Sequence, residues 1–207
     1  VAYLLDSSTN IANGKFQANV MAKIEEGHIL TEKGELKLAL SLFEGLLDDY
    51  DNYSNYYQGI IDYYLGFIKF KLENSCEAYE HLRSAISHLQ RSMKNISDIN
   101  IENIIKIYIK LGECYYILND INRSLNYFLL ANEKTARGEF ILEQDFYILK
   151  NIIFIYIQKA NFTIAIDYLN KLIDLSRKNN IINKDVLECY ISLSTCYVNL
   201  EQYENAE

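Results

Sequence analysis

Apolar residues recur along this chain at steps of three and four in helix-length runs, and each run ends in a short polar cluster, the pattern of successive amphipathic helices. One complete unit lies in Tyr108 to Ala131, YIKLGECYYILNDINRSLNYFLLA. Leu111-Gly112 sits part-way along a first helix, Tyr115 follows one turn later, and Asn119-Asp120 breaks it. Ser124, Phe128 and Ala131 then fall at helical spacing on a second helix. A small side chain beside a large one on that helix lets the two helices approach and interlock.

The same register returns at Gly27, Gly34, Ala39 and Phe43, and at Leu65-Gly66, Ala78, Leu82 and Ala85. It returns again at Tyr156, Phe162, Ala165 and Leu169, and last at Leu193, Tyr197, Tyr203 and Ala206. The small second-helix residues Ala39, Ala78, Ser124, Ala165 and Ala206 are therefore 39, 46, 41 and 41 residues apart. Two helices per period of this size predict an all-α, right-handed solenoid of helical hairpins, with about five repeats over 16–207 and the last incomplete. The absence of proline agrees with an almost wholly helical chain.

The residues of the third unit, L-G-x-x-Y-Y-x-L-N-D-I followed by a small residue, an aromatic and Ala131, resemble the tetratricopeptide repeat (TPR) family. The resemblance extends from about Val20 onward. Three features depart from it: the period exceeds the usual ~34 residues, no proline closes a repeat, and Ile153 and Ser194 stand at the glycine position of the fourth and fifth units. HEAT-like repeats are the alternative fold.

Residues 1–15 do not fit the repeat and are expected to form a linker, with the first helix running from Phe16 to Lys33 and its partner from Leu36 to Tyr50. VAYLLDSST resembles the closing segment of XRE-type helix-turn-helix domains; it also reads as a plain helix end before Asp and Ser. Caps are expected at Asp98 and Asn161, and turns at Gly138 and Asn179-Asn180.

The net charge of −8 opposes contact with a phosphate backbone, so DNA is expected only through an upstream domain absent from this chain. Cys76, Cys114, Cys189 and Cys196 have no metal-ligand spacing and read as reduced, semi-buried thiols of a cytoplasmic protein. No run approaches the ~20 apolar residues of a membrane span.

Catalytic signatures are missing. His81 and His88 lie two turns apart on one helix with Glu77 before them, but no third ligand completes a compact metal set, and surface histidines are the plainer reading. Glu25-Glu26 and Asp48-Asp49 are adjacent pairs whose side chains diverge on a helix. No phosphate-cradling glycine loop, G-x-S-x-G or H-E-x-x-H occurs. No enzyme activity, metal or cofactor is expected.

A groove is the expected site. In a hairpin array the first helices line one surface, here Tyr63, Phe67 and Lys71, then Ile109, Glu113 and Tyr116, then Lys150, Phe154, Ile157 and Gln158, then Ile191, Thr195 and Asn199, with Asn151 adjacent. Apolar pockets with amides between them suit an extended peptide. The expected contacts are Lys150, Asn151, Gln158 and Asn199, with Phe154 and Tyr116 as walls; the plainer reading packs Phe67 and Phe154 against the next repeat. The repeats after an XRE-like helix end resemble the peptide-sensing regulators of the Rap, Rgg, NprR, PlcR and PrgX group. That resemblance implies a homodimeric sensor of a short signalling peptide. A passive scaffold for a protein partner, or the regulatory part of a phosphorelay-acting enzyme, are the alternatives.

Overall fold

The computed structural model describes residues 2–94, 101–135, 142–181, 184–202 and 205–206, with side chains from residue 16 onward except at 75. Every regular element among them is helical. Two compact units divide between residues 100 and 101. The first contains α1 (Ala2–Glu32), α2 (Leu36–Glu44), a 3-10 segment (Leu47–Asn52), α3 (Asn55–Lys71) and α4 (Ser75–Ser92). The second contains α5 (Ile101–Ile117), α6 (Ile121–Thr135), α7 (Leu142–Gln158), α8 (Phe162–Lys178) and α9 (Lys184–Asn199).

One turn closes every hairpin. Gly34, Glu73, Asn119, Ala160 and Glu201 all have positive φ, from 55° to 77°. The amide after each reaches back to a carbonyl five residues earlier: Glu35 to Leu30 and Asn74 to Lys69 at 2.9 Å, Asp120 to Tyr115 at 2.8 Å, Asn161 to Tyr156 and Gln202 to Tyr197 at 2.9 Å. This is the Schellman arrangement, which satisfies carbonyls that the helix end leaves unpaired. Each turn residue precedes its small second-helix residue by five, so the period read from the sequence is also the period of the backbone. Ala39, Ala78, Ser124 and Ala165 are all fully buried.

The glycine positions show why the hairpins close tightly. A β-carbon built on Gly27 would meet Phe43 at 2.5 Å, one on Gly66 would meet Leu82 at 2.7 Å, and one on Gly112 would meet Phe128 at 2.9 Å. In the fourth hairpin Ile153 and Leu169 take these places, and α7 and α8 are less closely apposed than α3 with α4 or α5 with α6.

Several expectations are corrected. The first helix begins at Ala2 and not at Phe16: serine, threonine and asparagine cost a helix only a few tenths of a kcal/mol each, and no proline interrupts. The second helix stops at Glu44, not Tyr50, because the 3-10 segment turns Tyr50 toward α3, where its hydroxyl donates to Asp62 and its carbonyl accepts from Gln58 Nε2 at 3.0 Å. Asn161 occupies its N-cap without a side-chain capping bond, whereas the Asp120 carboxylate accepts from the Arg123 amide at 3.1 Å. Asp98, Gly138 and Tyr203 lie outside the described residues.

Candidate functional site

Helices α7 and α9 both pack on α8. Phe146, Leu149 and Ile153 of α7, Leu169 and Leu172 of α8, and Val186 and Cys189 of α9 share one buried core. Between α7 and α9 the surface opens into a groove of about 390 Å³, lined by Tyr147, Lys150, Asn151, Ile153, Phe154, Ile157, Leu169, Asp185, Glu188, Cys189 and Ser192. A second hollow of about 380 Å³ adjoins it, lined by Leu142, Glu143, Phe146, Tyr147, Lys150, Ile181 and Asp185. Lys150 Nζ, 2.6 Å from Asp185 Oδ1, crosses from α7 to α9 where the two meet.

Three of the six expected contact residues, Lys150, Asn151 and Phe154, line this groove together. Phe154 is 53% exposed and does not pack as core; its ring meets Tyr116 of α5 edge-on at 5.9 Å, which brings the fourth residue to the same surface. Asn151 Nδ2 donates to its own helix at Tyr147 O, 2.8 Å away. Gln158 and Asn199 do not line the groove: Gln158 is exposed at the end of α7, and Asn199 Nδ2 donates to Thr195 O at 2.8 Å.

The wider surface is corrected as well. Tyr63 and Ile109 are buried, at 2% and 7% exposure, and belong to the core. On α9 the lining residues are Asp185, Glu188, Cys189 and Ser192, not Ile191, Thr195 and Asn199. Their i, i+3, i+4, i+7 spacing marks one helix face, and Tyr147, Asn151 and Phe154 repeat it on α7; that shared spacing is the signal that could have found them.

Electrostatically the groove is balanced. Lys150 pairs with Asp185, Lys184 lies 3.4 Å from Glu188, and the Tyr147 hydroxyl donates to Glu113. Burial pushes the Cys189 thiol above its ordinary value while the Lys150 ammonium pulls it down, leaving a neutral sulfur in the wall and not a thiolate nucleophile. His81 and His88 do not converge on a metal: His81 Nδ1 is 2.9 Å from Asp62 Oδ1, and His88 Nδ1 is 3.2 Å from Asn55 Oδ1. Among the described residues no cluster of His, Cys, Asp and Glu could hold a metal ion, and no helix is long and apolar enough to cross a membrane.

No family model and no curated protein matches the sequence. Solved structures do. The TPR-like repeats of a kinesin light chain from Podosopora anserina superpose with a TM-score of 0.67 at 12% identity, covering 91% of this chain and 90% of that one. A signal-transduction ATPase with a tetratricopeptide repeat sensor from Pyrococcus horikoshii gives 0.70 at 19% identity over 94% of this chain and 28% of that one. This chain has a TPR-like repeat fold. Bacillus thuringiensis PlcR, solved with the peptide PapR7 and DNA, gives 0.66 at 14% identity over 90% of this chain and 65% of PlcR. The chain spans less than a third of the Pyrococcus protein and under two thirds of PlcR.

Proposed function

We propose that this TPR-like region binds a short peptide in the groove between α7 and α9 and is the sensor domain of a bacterial transcriptional regulator. The observation that carries the reading is the groove itself, which sets exposed Phe154 and half-buried Ile157 beside Asn151, Ser192 and the Lys150–Asp185 pair. Apolar walls take side chains, and the Asn151 amide oxygen accepts from a peptide N–H while its nitrogen is held by its own helix. Tyr116 extends the wall, and Gln158 and Asn199 meet the peptide where it runs past the groove. The likeness to PlcR supports the same reading. On it the protein is a cytoplasmic homodimer, residues 1–15 continue an upstream helix-turn-helix domain, and peptide binding favours one of two arrangements through unequal affinity for them.

The kinesin light chain likeness supports a second reading, a scaffold that holds a protein segment in the same groove. Thermal unfolding of the 207-residue chain against a pool of short peptides encoded near its gene, followed by calorimetry on any hit, separates the two. A midpoint that rises with peptide concentration, and no longer does so in Asn151→Ala, supports peptide sensing. An unmoved midpoint together with capture of a protein partner through the groove overturns it in favour of the scaffold.

A further inference from the structure

Each hairpin pairs a first-helix position with a large residue sixteen places on: Gly27 with Phe43, Gly66 with Leu82, Gly112 with Phe128 and Ile153 with Leu169. In the first three the partner side chain fills the space where a β-carbon would stand. In the fourth, Ile153 fills it instead and is itself buried. Two branched side chains cannot share a space that elsewhere holds one, and α8 lies less close to α7 than α4 does to α3 or α6 to α5. Both Ile153 and Leu169 lie at the floor of the groove, almost wholly buried.

We infer that Ile153 is the positioning residue that opens this pocket, and that the pocket receives a branched aliphatic side chain of the ligand. The inference takes the peptide from the function proposed above and adds which side chain it must present. The buried floor, Ile153, Leu169 and Cys189, offers no hydrogen-bonding partner stronger than a thiol, so a polar side chain entering it loses water without replacement. At the mouth the charges cancel in pairs, Lys150 with Asp185 and Lys184 with Glu188, so a charged side chain finds no unpaired counter-ion. An aromatic ring fits between the paired helices of this chain where glycine faces it, as Phe43 faces Gly27 and Phe128 faces Gly112. Opposite Ile153 that room is gone.

The test transplants the pairing of the third hairpin onto the fourth. The double variant Ile153→Gly with Leu169→Phe restores a glycine opposite a ring, although the ring returns less volume than the isoleucine gives up. N-acetyl-leucinamide is titrated into the full chain and followed by NMR shifts of the α7 and α9 amides, with N-acetyl-phenylalaninamide and N-acetyl-lysinamide as comparisons. The expected result is saturable binding of the leucine probe, weaker binding of the other two, and at least a tenfold loss of leucine binding in the double variant. Should that variant fail to fold, the parent protein decides: the methyl groups of the bound leucine probe show NOEs to the side chains of Ile153 and Leu169. Equal binding by parent and folded variant, no binding by the parent, or no such NOEs overturns the inference. If the leucine probe behaves as stated while no peptide binds, the pocket and its wedge stand and the peptide-sensing reading falls.

Discussion

The Tyr50 hydroxyl donates a hydrogen bond to the Asp62 carboxylate, which is only 3% exposed. Ser84 Oγ donates to the same carboxylate at 2.6 Å, and His81 Nδ1 lies 2.9 Å from its other oxygen. A buried carboxylate is tolerated only while its lone pairs are used. Tyr50→Phe, which removes one donor and releases the 3-10 segment from α3, should lower stability by about 1–3 kcal/mol in urea unfolding, with native helix content kept.

Alkaline pH should act through the same hydroxyl. Burial first, and then its bond to Asp62, raise the Tyr50 pKa well above the ordinary value of 10.0. With the folded value above the unfolded one, this contribution is complete below about pH 10 and is lost as pH rises beyond it. Stability measured from pH 8 upward should therefore stay level and then fall, and Tyr50→Phe should make the fall shallower. It should not abolish it, because burial also raises Tyr57, Tyr108 and Tyr168.

Gly112→Ala gains helix propensity but sets a methyl group 2.9 Å from the Phe128 ring. Overpacking of this kind costs about 1–3 kcal/mol, enough to outweigh the roughly 1 kcal/mol gained on leaving glycine. The melting midpoint should fall. Gly45→Ala is the control: its β-carbon meets nothing closer than 3.5 Å and φ is −66°, so its midpoint should hold or rise.

Ser124 is fully buried and its hydroxyl makes no hydrogen bond. Alanine occupies the equivalent position in the other hairpins. Ser124→Ala removes an unpaired polar atom without opening a cavity, and should raise stability by about 1 kcal/mol in denaturant titration.

Lys150 and Asp185 are each close to half exposed, so their ion pair adds little to folding. Lys150→Met should change stability by less than about 1 kcal/mol. Its effect should appear instead in calorimetry of any bound peptide, where loss of the charge at the junction of the two hollows weakens binding. A large loss of stability with unchanged affinity would count against the groove as the site.

The hairpin architecture was legible because it depends on local sequence. A small residue five places after a turn, and a glycine sixteen before a large side chain, leave a register that one sequence displays. The α7 half of the groove, Lys150, Asn151 and Phe154, was legible for the same reason. The α9 half was not: its rotation is set by Val186, Cys189 and Cys196 packing into the core, while larger apolar residues, Leu187, Tyr190 and Ile191, remain exposed. The repeat register points to Ile191, Thr195 and Asn199, on the face next to the one that lines the groove. Nothing in the hydropathy of Asp62 signalled a buried carboxylate, since its partners come from the 3-10 segment and from α4.

The turn shared by Gly34, Glu73, Asn119, Ala160 and Glu201 is made by backbone atoms. Its shape does not depend on which side chain sits there; a residue other than glycine costs roughly 1–2 kcal/mol and leaves the hydrogen bonds in place. Substitution at these positions is a tax on stability and not an instruction to refold. A chain jointed in this way keeps its architecture while its letters drift, which is how it shares a fold with proteins whose sequences it hardly resembles.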